Sequence, residues 1–282
     1  MDLFVFRSYG DLIILLNVLQ QGEPKESLNL NVSKHLKPLI EELPQLNLSD
    51  NTVINYFDIG IKKGILRLFT NKDLVSLSTI LELLRFKKVA HSYSTIYLEQ
   101  TARSWLLQLL FPSKHFIPIF TTGNIYESYA VYFLKNTACS NFTNIPNLKL
   151  YQKPTDNSSK RILLFPSSRK ATKQLPNKLI KKVLSANKQI IEACFGAGVD
   201  NYNKVYYSSF GKLIELIKAS DYVISSDSLP VHLAFYLGVP HYILYPKKVN
   251  NNWLTPYAKV NKTYGIFEAH ENLYPIINNI IG

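Results

Sequence analysis

The stretch that decides the fold is Ser225-Ser226-Asp227-Ser228-Leu229-Pro230-Val231-His232, in the last quarter of the chain. A β-rich run, 221–225, leads into it, and an apolar run with helical character, 232–237, follows at once. Pro230 suits the first turn of a helix, because proline has no N–H to lose there. We therefore predict a strand, a tight polar turn and a helix start, whose free amides and partial positive charge favour a phosphate.

Strand-like and helix-like segments alternate along the whole chain, and alternation of this kind predicts parallel sheets. The pattern runs in two series, separated by the polar segment 152–160, which has the composition of a linker. The predicted strands are 3–7, 28–32, 89–96, 161–165, 189–194, 204–207, 222–225 and 241–245. The predicted helices are 11–20, 34–43, 76–84, 99–110, 124–134, 177–186, 210–217, 231–237 and 268–281. The segment 51–69 is ambiguous between the two.

Two such series predict an α/β protein made of two Rossmann-like domains, with parallel sheets that face a central cleft. We place the N-terminal domain at 1–152 and the C-terminal, phosphate-binding domain at 153–282. The last predicted helix could pack back on the N-terminal domain. A chain of 282 residues is long enough for two domains of ordinary size.

The chain carries a formal net charge of +12, and the charge is uneven. Residues 1–150 have 15 Lys or Arg against 12 Asp or Glu, a net +3, whereas residues 151–282 have 17 against 8, a net +9. The half with the predicted phosphate turn is therefore the basic half. Such a surface concentrates anionic partners, although lysine-rich composition and solubility explain it equally well.

The two cysteines, Cys139 and Cys194, lie far apart, without the spacing of a metal site or of a disulfide framework. They fit a reducing compartment. The N-terminal residues have no basic segment of the kind that opens a signal peptide, and the apolar run 12–19 is too short to cross a bilayer. We expect a cytoplasmic protein, with peripheral contact at the inner face of the membrane an option if its acceptor is a lipid.

Within the quoted stretch, we expect the Ser228 hydroxyl and the following amides to bind a diphosphate while Asp227 orders the loop. Because a carboxylate repels a phosphate, Asp227 should face amides or a lysine. The alternative is structural: Asp227 caps the helix and His232 is a hydrogen-bonded core histidine.

Three other segments carry candidate chemistry. Hydroxyls and cations crowd the turn Phe165 to Pro176, where Ser167, Ser168 and Lys173 suit phosphate oxygens, unless the turn is only a solvated basic loop. Gly10-Asp11 follows the first strand, where Asp11 could act as a general base or merely cap the next helix. Phe195-Gly196-Ala197-Gly198 is a weak glycine-rich signal, and a loop role is the safer interpretation.

In this order, the motifs resemble those of the heptosyltransferases, glycosyltransferase family 9. The resemblance covers the first twenty residues and about 160–246, is poor over about 51–151, and implies the GT-B fold of two Rossmann-like domains. It implies Asp11 as the catalytic base beside Gly10. It also implies a donor site in the second domain, made of Ser167, Ser168, Lys173, Asp227, Ser228, Leu229 and His232. Leu229 stands where the family has glycine, and Leu175-Pro176 where it has Trp-Pro.

The resemblance implies an inverting, metal-independent transferase that moves a heptose-like sugar from a nucleotide diphospho-sugar, preferably an ADP-sugar, to a bacterial surface glycan or lipopolysaccharide-type acceptor. It implies no cofactor apart from this substrate, and no nucleic-acid partner. Three alternatives stay open: a GT-B enzyme for another sugar, a sugar-nucleotide epimerase, and an inactive basic relative that binds anionic lipid or nucleic acid.

Overall fold

The computed structural model describes residues 1–5, 8–44, 46, 48–57, 84–85, 87–88, 95–99, 115–119, 123–135, 161–168, 171–186, 188–248 and 251–267. The chain divides into two compact units, Met1–Ser140 and Asn141–Gly282. The predicted boundary at 152/153 lies outside the described residues, and so do the predicted helix 268–281, most of 76–84, and the predicted helix 99–110 except Glu99, which belongs to a strand. The boundary and the cleft stay predictions. Among the described residues, no helix has the length and apolar character of a membrane span.

Unit 1 contains one parallel sheet of five strands in the order β3-β2-β1-β4-β5. Each of its strand pairs is parallel, with Leu3 opposite Leu30 in one pair and Leu3 opposite Tyr97 in another. The order reverses between β1 and β4. The strands are β1 (Asp2–Val5), β2 (Leu28–Ser33), β3 (Thr52–Phe57), β4 (Thr95–Glu99) and β5 (His115–Ile119).

The helices of this unit whose bounds are described are α1 (Tyr9–Leu19), α2 (Lys37–Glu42), which follows a 3₁₀ turn at Lys34–Leu36, and α3 (Ile125–Phe133). Every residue of α1 from Leu12 to Leu19 is buried, as expected of a helix that is apolar on all sides. The α3 helix begins at Asn124, whose side-chain oxygen accepts a hydrogen bond from the backbone N–H of Tyr126. This N-cap satisfies an amide that has no partner within the helix.

Unit 2 contains a six-stranded parallel sheet in the order β11-β10-β9-β6-β7-β8. The chain builds β6, β7 and β8 outward in one direction, then returns to place β9 against the other side of β6. This is the doubly wound Rossmann order, with its reversal point between β6 and β9. The strands are β6 (Ile162–Phe165), β7 (Ile190–Phe195), β8 (Lys204–Tyr207), β9 (Tyr222–Ser226), β10 (His241–Tyr245) and β11 (Tyr264–Ile266).

The helices of unit 2 are α4 (Asn177–Ala186), α5 (Phe210–Lys218), α6 (Leu229–Tyr236) and α7 (Pro256–Asn261). The α4 helix packs its apolar stripe on one face of the sheet, where Leu179 and Val183 join a buried cluster with Ile162, Leu164 and Ile224. The α6 helix is buried along most of its length, and its Val231 packs with residues of β10 and α7. Both helices follow strands that meet at the reversal point, so the sheet core fixes the loops that precede them.

Candidate functional site

The site lies at the carboxyl ends of β6 and β9, the two strands that meet at the reversal point of the second sheet. These strands are paired in register, with Phe165 opposite Ser225. The loops that follow them therefore leave the sheet side by side. In doubly wound sheets, ligands bind in the crevice at such a point. The structure thus brings together two of the segments that the sequence singled out, 165–176 and 225–232.

An ion pair joins the two loops. Lys173 lies in a 3₁₀ turn, Ala171–Lys173, and its Nζ donates to Oδ2 of Asp227 in a short hydrogen bond. The two side chains are only 16% and 8% exposed. A buried charge is tolerated when it is paired, and here the ammonium and the carboxylate are each other's partner. The prediction that Asp227 faces a lysine is confirmed.

The second oxygen of the Asp227 carboxylate faces His232. The Nε2 of His232, on α6, lies 3.6 Å from Oδ1 of Asp227, and the histidine is buried. Burial alone would raise the pKa of Asp227, but the nearby His232 ring, followed by the charge of Lys173, outweighs burial and holds this pKa below its usual value. Asp227 is therefore a carboxylate at neutral pH.

The backbone of the loop is tied to a third strand. The N–H of Asp227 donates to the carbonyl of Leu244 on β10, at 3.1 Å. The hydroxyl of Ser226 reaches the carbonyl of Ser167 at 3.5 Å, at the outer limit of a hydrogen bond. The loop after β9 is thus held from both neighbouring strands, which positions it before any ligand arrives.

Serine hydroxyls fill the inside of this turn. Ser225 donates to the carbonyl of Ser226 at 2.8 Å, and Ser228 donates to the same carbonyl at 3.1 Å. The Ser228 and Ser226 hydroxyls lie 3.2 Å apart. The sequence placed Ser225 at the end of the strand and Ser226 in the turn but gave neither hydroxyl a role, so their contribution to the turn is new. Their signal was the run of three hydroxyl residues around Asp227.

Ser228, and not Asp227, occupies the N-cap position of α6, so the alternative in which Asp227 caps this helix is wrong. The Ser228 side chain makes no capping hydrogen bond to the helix. The first amides of a helix have no partner within it, and together with the helix dipole they favour an anion. The predicted start of this helix at 231 was two residues late, and Pro230 stands in its first turn as expected.

Leu229 is the first residue of α6, at the position where the heptosyltransferase pattern has glycine. Of the described non-glycine residues, only Lys262 has a positive φ. Leu229 thus adopts ordinary helical backbone, and the replacement of glycine introduces no left-handed strain. What changes at this position is the bulk of the side chain, which is half-buried.

Of the remaining residues predicted in unit 2, Ser167 is exposed and Ser168 is half-buried. Ser167 takes part in the site through its backbone carbonyl. Residues 169 and 170 lie outside the described residues. The predicted role of the two hydroxyls in phosphate binding stays a prediction.

The predicted base, Asp11, lies in unit 1, just after β1 at the reversal point of the first sheet. The helix begins at Tyr9, two residues before the predicted start at 11, so Gly10 lies within the first helical turn. Ser8 is the N-cap: its hydroxyl accepts from the N–H of Asp11 at 3.3 Å and donates to Oδ2 of Asp11 at 2.8 Å. Two hydrogen bonds thus join Asp11 to Ser8, the residue that caps the helix. The catalytic role of Asp11 stays a prediction.

Within the described residues, no group of three or more His, Cys, Asp or Glu side chains is arranged to hold a metal ion. Asp227 and His232 lie close together, but the other charged side chain paired with Asp227 is a lysine, Lys173, which is no metal ligand at neutral pH.

Several solved structures share the fold of this chain. The heptosyltransferase WaaC of E. coli, solved with ADP, is 15% identical, with a TM-score of 0.56 over 98% of this chain and all of that one. A family 9 glycosyl transferase of Veillonella parvula is 14% identical, with a TM-score of 0.56 over 94% of this chain and 85% of that one.

A further structure comes from a different class of enzyme, a UDP-N-acetylglucosamine 2-epimerase of Listeria monocytogenes. It is 11% identical, with a TM-score of 0.52 over 99% of this chain and 87% of that one. No protein-family model and no curated protein matches the sequence. The chain therefore has the GT-B fold of the heptosyltransferases, as the order of its motifs predicted.

Proposed function

We propose that this protein is a glycosyltransferase of the heptosyltransferase kind, which takes its sugar from a nucleotide diphospho-sugar. The observation that carries the proposal is the junction of the β6 and β9 loops. A cation, Lys173, is fixed there beside the start of α6, a helix without a side-chain cap. Both features favour an anion, and they lie at the point where doubly wound sheets bind nucleotides.

Lys173 and the start of α6 have complementary parts in this proposal. A lysine ammonium has three N–H donors, and Asp227 accepts one of them. The others are left to reach phosphate oxygens, together with the Ser228 hydroxyl and the first amides of α6. Asp227 and His232 act behind this surface, because they hold the ammonium in place. As the sugar–phosphate bond breaks, this fixed positive charge stabilises the departing diphosphate.

The acceptor side of the reaction is assigned to Asp11, on the resemblance of Gly10-Asp11 to the heptosyltransferase motif. In this proposal, the Asp11 carboxylate removes the proton of the acceptor hydroxyl, which attacks the sugar from the face opposite the diphosphate and inverts the anomeric carbon. The hydrogen bond from Ser8 orients the carboxylate that takes the proton. No metal is required, since Lys173 supplies the positive charge at the leaving group.

The donor and acceptor follow from the same resemblance. One neighbour in the comparison was solved with ADP and another with a fluorinated ADP-heptose, which favours an ADP-sugar with a heptose-like group. The proposed acceptor is a bacterial surface glycan or glycolipid of the lipopolysaccharide type. We place the reaction in the cytoplasm, with peripheral contact at the membrane when the acceptor is a lipid.

The proposal is tested by product analysis. The protein is incubated with ADP-, UDP- and GDP-sugars and candidate acceptors, and released nucleoside diphosphate is measured by chromatography. For the donor that turns over, NMR of the product gives the anomeric configuration, which we expect to be inverted. Absence of turnover and of binding for all three classes of nucleotide would contradict the proposal.

A second candidate is a sugar-nucleotide epimerase, favoured by the likeness of the fold to the Listeria enzyme. It needs the same diphosphate site but no acceptor. The same incubations distinguish it, because an epimerase changes the donor sugar when no acceptor is present.

A further inference from the structure

We propose that Phe195 is the platform on which the base of the nucleotide stacks, an inference that rests on the proposed function and extends it to base recognition. Phe195 is the last residue of β7 and its side chain is 72% exposed. An aromatic ring exposed at the carboxyl end of a strand, beside a candidate ligand site, is open for a base to stack on it.

The strand register places Phe195 level with the phosphate site. Ser225 on β9 lies opposite Phe165 on β6, and Leu164 on β6 lies opposite Glu192 on β7. Since β6 ends at Phe165 and β9 at Ser226, the loop residues Ser167 and Asp227 leave the sheet at the same edge as Phe195, the last residue of β7. Adjacent strands lie about 4.8 Å apart, so Phe195 is about 10 Å from the Asp227 loop. That span is comparable to the reach of a nucleoside diphosphate from its outer phosphate to its base.

The Phe195 ring packs against the ring of Tyr207, which itself packs against Phe165. Its centroid lies 5.7 Å from that of Tyr207 on β8, at an interplanar angle of 66°. Tyr207 in turn contacts Phe165 edge to face, at 5.9 Å and 67°. Burial, with a smaller contribution from Cys194, raises the pKa of Tyr207 to about 12, so this ring stays neutral. Edge-to-face packing holds the Phe195 ring while most of its surface remains open to a ligand.

The connection after Phe195 leaves this surface uncovered. Only eight residues, 196–203, join the parallel strands β7 and β8, where a crossover of a dozen or more with a helix is usual. Gly196 starts the loop at φ +125°, and its N–H donates to the carbonyl of Tyr207 at 2.9 Å. A Cβ at Gly198 would overlap the Tyr206 ring, so the loop packs its backbone directly on that side chain.

Hydrogen bonds also hold the end of this loop that leads into β8. Oδ1 of Asp200 accepts from the N–H of Tyr206 at 2.8 Å. The carbonyl of Asn203 accepts from the N–H of Glu192 at 2.9 Å, which places this end three residues back along β7 from Phe195. Tyr202, 88% exposed, therefore lies toward the amino end of β8 and away from the phosphate site. It provides a matched control: an aromatic ring on the adjoining loop that is even more exposed than Phe195.

The experiment compares Phe195→Ala with Tyr202→Ala by isothermal titration calorimetry. The probes are pyrophosphate, which lacks a base, and ADP, UDP and GDP. Loss of one base–aromatic stack should raise the Kd of the nucleoside diphosphate about tenfold in Phe195→Ala. The Kd of pyrophosphate should not change, Tyr202→Ala should match the wild type for every probe, and Phe195→Trp should restore nucleotide affinity.

Every result bears on one of the two proposals. If nucleotides bind the wild type and Phe195→Ala leaves their Kd unchanged, the platform is wrong and the diphosphate site stands. If Phe195→Ala weakens pyrophosphate and nucleotides equally, the residue supports the loop and not the base, which also overturns the platform. If no probe binds the wild type, the proposed function itself fails, and the platform with it.

Discussion

The two units share a doubly wound topology, but their reversal points are built differently. In unit 2, the loops after β6 and β9 are joined by Lys173 and Asp227, which lie 54 residues apart in the sequence. In unit 1, the corresponding position after β1 is organised by Ser8 and Asp11, only three residues apart. A long-range ion pair preorganises a surface formed by two loops, whereas a local cap orients one side chain. This difference fits a fixed donor site in unit 2 and a single acting group in unit 1.

The largest expected effect follows from removing the proposed base in unit 1. Asp11→Asn keeps an oxygen to accept the hydrogen bond from Ser8 but loses the basicity of the carboxylate. A positioned base typically contributes a factor of about 10²–10⁴, so turnover should fall by that factor while the Kd of the nucleotide stays the same. Steady-state kinetics and calorimetry on the same preparation measure the two quantities.

Ser8→Ala is the control for the contact between Asp11 and the N-cap residue. Loss of an N-cap costs about 1 kcal/mol of folding stability, and the carboxylate remains. Turnover should therefore fall much less than in Asp11→Asn. Equal turnover in Asp11→Asn and the wild type would leave Asp11 only its contact with Ser8.

In unit 2, Lys173→Ala should lower both stability and nucleotide affinity. The substitution leaves Asp227, 8% exposed, without its charge partner, and breaking such a pair costs about 3 kcal/mol. Urea unfolding measures the stability and calorimetry the affinity. Lys212→Ala is the matched control, since the Lys212–Glu215 pair spans 3.9 Å with side chains 49% and 73% exposed. We expect less than about 0.5 kcal/mol for this control.

The two effects of Lys173→Ala can be separated. Lys173→Arg keeps a cation and should retain most of the stability that Lys173→Ala loses. Its affinity for pyrophosphate should then lie between those of the wild type and Lys173→Ala. Unchanged nucleotide affinity in Lys173→Ala would remove this residue from the donor site and leave the ion pair as a structural feature.

We also expect residues of unit 2 to make the folding stability of the protein fall at low pH. His241 is fully buried, and burial lowers its pKa to about 4 although the backbone carbonyl of Val239 acts in the opposite direction. Its Nδ1 donates to that carbonyl at 2.9 Å, and its Nε2 lies 2.6 Å from Oγ1 of Thr255. The neutral ring satisfies both contacts if the threonine hydroxyl donates to Nε2.

The sign of this dependence follows from linkage. An unfolded histidine takes up a proton below about pH 6.5, whereas the folded His241 resists it down to about pH 4. Stability should therefore fall by about 3 kcal/mol as the pH drops through this window. The stabilisation from ionised Asp227 is present above about pH 4 and is lost only below that, because its folded pKa is lowered. Thermal unfolding at a series of pH values measures both, and His241→Gln should flatten the upper part of the curve.

The sequence predicted most of unit 2, because each of its strands is short, apolar and bounded by clear turns. The predicted helix 177–186 and the strands 204–207 and 241–245 agree with α4, β8 and β10 to the residue. The helix α7 was missed, although Thr255-Pro256 is a recognisable start: the Thr255 hydroxyl caps it and Pro256 stands at its first position.

Unit 1 was harder, for identifiable reasons. Ser8-Tyr9-Gly10 has turn composition, but Ser8 serves as an N-cap and Gly10 is carried inside the helix. The strand β3 lies in the segment left ambiguous, and β5, which contains Pro118, was missed. The predicted strand 89–96 overlaps β4 at residues 95 and 96, and β4 runs on to Glu99, while 89–94 lie outside the described residues.

The candidate site shows the same division between local and tertiary information. The local sequence was enough to select four site residues: Lys173, Asp227, Ser228 and His232. Electrostatics alone predicted amides or a lysine beside Asp227. Sequence could not identify which lysine, because the contact depends on β6 and β9 being neighbours in the sheet. Nor could it show that Phe195 is exposed, since that depends on a β7–β8 connection without a helix.

The central claim is that a nucleoside diphosphate binds where the β6 and β9 loops meet, and hydrogen exchange with and without saturating ADP tests it most directly. We expect slower amide exchange at 226–231 and at 167–173, weaker protection at 195–198, and no change around the exposed Tyr202. Protection confined to other parts of unit 2, or none while ADP is bound, would contradict it.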